Sequence, residues 1–121
     1  MGLLDKFSGG DPNERLHDAV LTGNIAKVKK LLESGADINH RDVRDRSLRT
    51  PLQTALMAWG KTENKALRES LTELIKFLLL QKADIGMPDT TGKTAKDWAS
   101  QVGHLKAGMM ISLVAAGKEP E

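Results

Sequence analysis

The segment Thr50-Pro51-Leu52-Gln53-Thr54-Ala55 has the features of a helix start, and its recurrence along the chain indicates the fold. The hydroxyl of Thr50 can cap the helix, and Pro51 suits the first helical position, where a missing N–H costs nothing. Leu16-His17-Asp18-Ala19 carries the same Leu-x-x-Ala spacing, and Ala95–Ala99 ends on the same alanine phase. A unit that begins with a short helix therefore occurs three times.

A second motif follows the helices of the first two units. Gly35-Ala36-Asp37-Ile38-Asn39 aligns with Lys82-Ala83-Asp84-Ile85-Gly86, and a leucine pair precedes each of them by four residues. Lys82 stands where the first copy has a glycine that suits a left-handed helix end. Either Lys82 accepts a strained φ, or the turn differs there.

Taken in this order, the motifs resemble the ankyrin repeat. The first motif is close to that family's Thr-Pro-Leu-His-x-Ala, and the second to its Gly-Ala-Asp-Ile/Val-Asn. Asp89–Thr94 is similar to its Asp-x-x-Gly-x-Thr hairpin. The resemblance covers about residues 13–117 and implies an all-α, ankyrin-like solenoid of three helix-turn-helix repeats with short β-hairpin-type loops.

The resemblance divides the chain into a flexible N-terminal tail (1–12), a repeat domain (13–117) and a C-terminal tail (118–121). The domain has units at 14–49, 50–93 and 94–117. In the N-terminal tail, Leu3, Leu4 and Phe7 allow an amphipathic turn that touches a membrane or a partner. The preferred interpretation is a tail that packs on the first helix or stays loose.

Two insertions distinguish the units from the usual length of about 33 residues. The first unit has 36 residues and the second 44. The smaller excess falls in the loop 39–49, at the position of the family's projecting finger. The larger one predicts a second helix longer by about three turns, because leucines at helical spacing continue through it. We expect Trp59 to cover Leu67 and Leu71 in this overhang; the alternative is a partner or a second copy of the chain.

Composition and residue spacing argue against several classes of function. The chain has 121 residues and no cysteine, which excludes disulfides, cysteine zinc sites and thiol nucleophiles. Its three histidines are not at metal-ligand spacing and no catalytic motif is credible, so we expect no enzyme activity, metal or cofactor. No stretch approaches the roughly 20 apolar residues of a membrane span. We therefore expect a cytoplasmic protein.

The resemblance implies a protein–protein interaction module, such as an adaptor, inhibitor or immunity-type binder. Its binding residues by family position form an apolar centre with a charged rim, which is the usual anatomy of an interface. The predicted partner-binding residues are Leu21, Met57, Gln101, Val102, Arg41, Arg44, Arg46, Leu48, Arg49 and Lys93.

The arginine-rich rim predicts a partner protein with an acidic rim. Nucleic-acid or other anionic-ligand binding through the finger 41–49 is the alternative, although 18 basic residues are nearly balanced by 16 acidic ones. Self-association through 105–116 or through the overhang 62–72 is a further expectation.

Overall fold

A computed structural model describes residues 11–121 of the chain, and the predictions for Leu3, Leu4 and Phe7 lie outside this range. The described residues form six α-helices and no strand. The helices are α1 (Pro12–Leu21), α2 (Ile25–Glu33), α3 (Pro51–Lys61), α4 (Lys65–Leu80), α5 (Ala95–Val102) and α6 (Leu105–Ala115).

The helices pack as three pairs in two layers. Helix α1 contacts α2, α3 contacts α4, and α5 contacts α6, so that each pair is a helix–turn–helix unit. The first helices α1, α3 and α5 lie side by side in one layer, and α2, α4 and α6 form the other. Leucines and alanines fill the space between the layers. This confirms the predicted all-α, ankyrin-like fold.

The helix starts follow from capping side chains. Thr50 and Thr94 each form a capping box, with Gln53 and Asp97 respectively, which confirms the helix start predicted at Thr50. The second helix of each pair begins after an equivalent cap: Asn24, Asn64 and His104 accept from backbone N–H groups of the first turn.

Of the two alternatives for Lys82, the structure shows the strained one. Lys82 has φ +69°, in the left-handed region, and Gly35 has φ +102° at the equivalent helix end. The N–H of Ala83 donates to Leu78 O, as that of Ala36 does to Leu31 O, so the turns close in the same way. The fold therefore imposes the glycine conformation on a lysine.

The larger insertion lengthens α4 by less than we expected. Helix α4 has 16 residues and α2 has nine, a difference of about two turns rather than three. The shortfall arises because α3 continues to Lys61 and because α4 begins only after its cap, Asn64. The rest of the insertion lies in the short connection between Lys61, the last residue of α3, and Lys65, the first residue of α4.

The overhang of α4 is covered within the chain. Leu71 is fully buried, and Leu67 is partly buried against the core. Both pack close to the α1–α2 turn, where a Cβ built on Gly23 would lie 3.2 Å from Cδ1 of Leu67. The ring of Trp59 stacks on His104, with ring centroids 4.2 Å apart. Leu71 therefore needs no partner to cover it.

Helix α4 is the longest described helix. Neither it nor any other helix within residues 11–121 combines the length and apolarity that a bilayer crossing requires.

Candidate protein-binding surface

The loop of residues 39–49, which we call the finger, is fastened to α1 by Arg44. The guanidinium of Arg44 donates to Asp42 at 3.0 Å, to Asp18 at 3.2 Å and to the carbonyl of Glu14 at 3.1 Å. Burial favours a higher pKa for Asp42, but the hydrogen bonds from Arg44 outweigh it and lower the pKa. The Asp42 bond also raises the pKa of Arg44, so both groups stay charged.

Two further finger arginines bind acceptors within the chain. Arg41 donates to the carbonyl of Pro88 at 2.5 Å and more weakly to that of Leu48. Arg49 forms an ion pair with Asp45 and lies over the ring of Trp98. Only Arg46 has a guanidinium without a hydrogen bond or ion pair to the part of the chain that the structure describes. Within residues 11–121, the finger thus presents one arginine without an acceptor rather than four.

The finger is also bonded to the next loop along the stack. Thr90 donates from its N–H to the carbonyl of Ser47 and from its hydroxyl to that of Arg46, each at 2.9 Å. Asp89 organises this loop by accepting from the backbone of Lys93 and from Nε1 of Trp98. Burial favours a higher pKa for Asp89, but its hydrogen bonds lower it, so the carboxylate stays ionised.

Buried side chains of α1 and α3 bind backbone carbonyls of the finger and of the next loop, respectively. Nε2 of His17 donates to the carbonyl of His40 at 2.9 Å, and Nε2 of Gln53 donates to that of Met87 at 2.6 Å. Because the carbonyl of His40 only accepts, the proton of the neutral ring lies on Nε2. Burial lowers the pKa of His17, which favours this neutral form. The two loops are therefore fixed at both ends.

Four residues around the finger form an exposed group, which we call the finger-tip surface: Leu21, Val43, Arg44 and Arg46. Val43 has 70% of its surface exposed and Leu21 has 42%. Leu21 lies one helical turn beyond Asp18, the α1 partner of Arg44. Val43 was not among the binding residues predicted from the sequence. The one signal for it in the sequence was an apolar residue between Asp42 and Arg44 in an inserted loop.

The predicted apolar centre does not form, because Met57 is only 8% exposed. Helix α3 lies between α1 and α5, so the whole segment Pro51–Ala58 is buried. Val102 is half-buried, since a Cβ built on Gly60 would lie 2.5 Å from its Cγ1. The expectation that Leu21, Met57 and Val102 share an exposed patch is wrong.

The remaining predicted residues have mixed positions. Leu48 is half-buried with φ +51°, so it is not the exposed loop residue that we expected. Lys93 is half-buried with its ammonium 5.0 Å from the ring centre of Trp98. Gln101 is exposed on α5. Of the predicted residues, Leu21, Arg44 and Arg46 are also exposed, and the bond from Arg44 to Asp18 places the finger beside the end of α1 that carries Leu21.

Comparison with known proteins agrees with this architecture. The sequence profile described as Ankyrin repeat matches residues 16–43, which contain α1, α2 and the start of the finger. The chain is 34% identical over 100 residues to human ARF GTPase-activating protein GIT1 and 35% identical over 100 residues to mouse GIT2. It is 29% identical over 99 residues to Palmitoyltransferase Hip14 of Drosophila melanogaster. The chain therefore contains an ankyrin repeat at residues 16–43, within a fold that is ankyrin-like throughout the described residues.

Ankyrin repeats are generally protein–protein interaction modules. The three alignments cover 83%, 83% and 81% of this chain but only 11%, 12% and 13% of the respective relatives. The likeness therefore concerns the repeat segment and not the activities named for those proteins.

Proposed function

We propose that this chain is a non-enzymatic binding module that captures another protein through the finger-tip surface. It would act in the cytoplasm as an adaptor, inhibitor or immunity-type binder, and the cysteine-free composition is compatible with that compartment. The observation that carries the proposal is the exposure of Val43 on a loop that is bonded to α1 by the side chain of Arg44 and to the next loop by the carbonyl of Arg46.

A fixed loop suits binding because little conformational entropy is lost when a partner docks on it. Val43 and Leu21 supply apolar contact area on this loop and on α1. Arg46, three residues after Val43, is exposed and has no acceptor for its guanidinium within residues 11–121, so it can form a bidentate pair with a carboxylate. These features favour a partner with a small apolar contact and an acidic rim.

The alternative, binding of nucleic acid or another anionic ligand by the finger 41–49, has less support. Arg41, Arg44 and Arg49 bind acceptors within the chain, and a phosphate would have to compete with those contacts. Few free phosphate contacts give a shallow dependence of affinity on salt. We expect the chain to leave a heparin column at low salt; retention to high salt would favour the alternative.

Affinity capture from the source cells tests the proposal. The immobilised wild-type chain is compared with a variant that carries Val43→Asp and Arg46→Glu, and captured proteins are quantified by mass spectrometry. The matched control carries Ala26→Asp and Lys27→Glu on the exposed side of α2, which gives the same change in net charge. We expect the finger-tip variant to lose a specific partner that the control retains. Equal capture by both variants would contradict the assignment of this surface.

A further inference from the structure

The last helix pair carries a groove that is separate from the finger-tip surface. It lies between α5 and α6, has a volume of about 640 Å³ and is lined mainly by small and apolar side chains. Two large apolar residues stand at its edge on α6, since Leu105 is 83% exposed and Met109 is 67% exposed. They lie one helical turn apart and form one continuous apolar patch beside the groove, and such patches mark interaction sites.

The rows of side chains on α6 give the groove the shape of a helix-binding site. Leu105, Met109 and Leu113 form one row at four-residue spacing, and Gly108, Ser112 and Ala116 form the next. The first row is a ridge of large residues, whereas the second is a floor of small ones. The floor is about 12 Å long, which corresponds to about two turns of a docked helix.

The floor is low enough for close helix approach. A Cβ built on Gly108 would meet only the Cβ of Ala99, at an ordinary contact distance of 4.0 Å. Ser100 and Gly103 continue the small surface on α5. Small residues on both walls let the backbone of a third helix lie close to the pair.

The rim of the groove indicates the charge of its occupant. Lys96 of α5 and Lys118 beyond α6 line the groove, and no acidic side chain within residues 11–121 lines it. The N–H of Lys118 donates to the carbonyl of Leu113 at 2.8 Å, which anchors the backbone of that lysine at the end of the floor. A second copy of this face would bring the same lysines together, whereas acidic side chains would pair with them.

We propose that the α5–α6 groove binds an amphipathic helix of another protein, with an apolar stripe and acidic flanks. The apolar stripe would lie on Gly108 and Ser112 against the ridge of Met109. Its acidic flanks would face Lys96 and Lys118. This site is independent of the finger-tip surface, so the chain would hold two partners at once or two parts of one partner.

A designed peptide tests the proposal directly. The probe is a fluorescein-labelled helix of about four turns, with leucines along one stripe and glutamates on both flanks. The control peptide carries lysines in place of the glutamates. Fluorescence anisotropy with the full chain at low salt is expected to show saturable binding of the acidic peptide. Binding of the lysine peptide is expected to be at least about tenfold weaker.

Variants of the floor and rim locate the binding. Gly108→Leu fills the floor and is expected to lower the affinity for the acidic peptide at least about tenfold. Gly108→Ala is expected to change this affinity less than about twofold. Met109→Glu is expected to lower this affinity to a similar extent. Because Met109 is exposed, this variant should fold and tests the site even if Gly108→Leu does not fold. Lys96→Gln with Lys118→Gln should lower the affinity of the acidic peptide only.

Three results would overturn the proposal. The two peptides could bind equally, or the acidic peptide could bind Gly108→Leu and Met109→Glu as well as wild type. Alternatively, sedimentation could show a dimer of the full chain that Gly108→Leu abolishes, which would make a second copy the occupant. The variant with Val43→Asp and Arg46→Glu should bind the peptide normally, so failure of this site and failure of the finger-tip proposal are distinguishable.

Discussion

Replacement of Gly60 by alanine should destabilise the protein, although alanine is the better helix former. Within a helix, Gly→Ala ordinarily gains up to about 1 kcal/mol. At Gly60, however, the new Cβ would lie 2.5 Å from Cγ1 of Val102 and 2.8 Å from its Cβ. These distances are about 1 Å below van der Waals contact, and relief of such overpacking costs about 1–3 kcal/mol. We expect a net loss of about 1–2 kcal/mol.

Urea unfolding of four variants measures this effect. Gly108→Ala is the matched control, because its Cβ would reach only Ala99 at 4.0 Å, and it should raise stability by up to about 1 kcal/mol. Val102→Ala removes the Cγ1 methyl at 2.5 Å and leaves the Cβ at 2.8 Å, so it relieves part of the overlap, and the double variant should be more stable than the sum of the single changes predicts. Stabilisation by Gly60→Ala, or additive effects in the double variant, would refute the close approach of α5 to α3.

Three other substitutions have defined outcomes in the same assay. Lys82→Gly should stabilise the chain by about 0.5–1 kcal/mol by relieving its left-handed φ, and destabilisation would contradict the strain. Asp89→Ala should cost about 2–3 kcal/mol because it leaves the Trp98 donor unpaired; a loss under about 0.5 would count against that network. Burial lowers the pKa of His17 and His104, so their stabilisation is complete above about pH 6.5 and decreases below it. His104→Asn keeps an acceptor for the α6 cap but does not titrate. Between about pH 7.5 and pH 5.5, its free energy of unfolding should therefore decrease less than that of the wild type, by up to about 1.4 kcal/mol. An equal decrease in both proteins would exclude His104 as the source.

The helix starts were predictable where local chemistry decides them. Thr50 and Pro51 mark the start of α3 because capping needs only residues next to each other in sequence. The start of α4 was less certain, because both Thr62 and Asn64 are suitable caps. Asn64 is the cap because its side chain accepts from the N–H of Leu67 at 3.0 Å, whereas Thr62 ends α3. The difference is one of three-dimensional geometry, which the residue types alone do not give.

The binding residues were harder to predict, because exposure depends on neighbouring helices and on side-chain pairing. Met57 occupies a family binding position, yet α1 and α5 enclose α3 on both sides. The arginines of the finger look equivalent in sequence, but Arg44 binds Asp18, which lies 26 residues earlier in the chain. Val43 is exposed next to that pair. Long-range contacts of this kind are absent from the local pattern, in which an apolar residue within a charged insertion was the only sign of Val43.

The footprint of a captured partner on this chain is the sharpest test of the finger-tip surface as the binding site. Amide hydrogen exchange of the chain, free and bound to the partner recovered by affinity capture, reports which backbone segments the partner covers. We predict added protection in the finger, around Val43 and Arg46, and at the end of α1, around Leu21. Protection confined to the outer helices α2 and α4, with the finger unchanged, would contradict the finger-tip surface as the binding site.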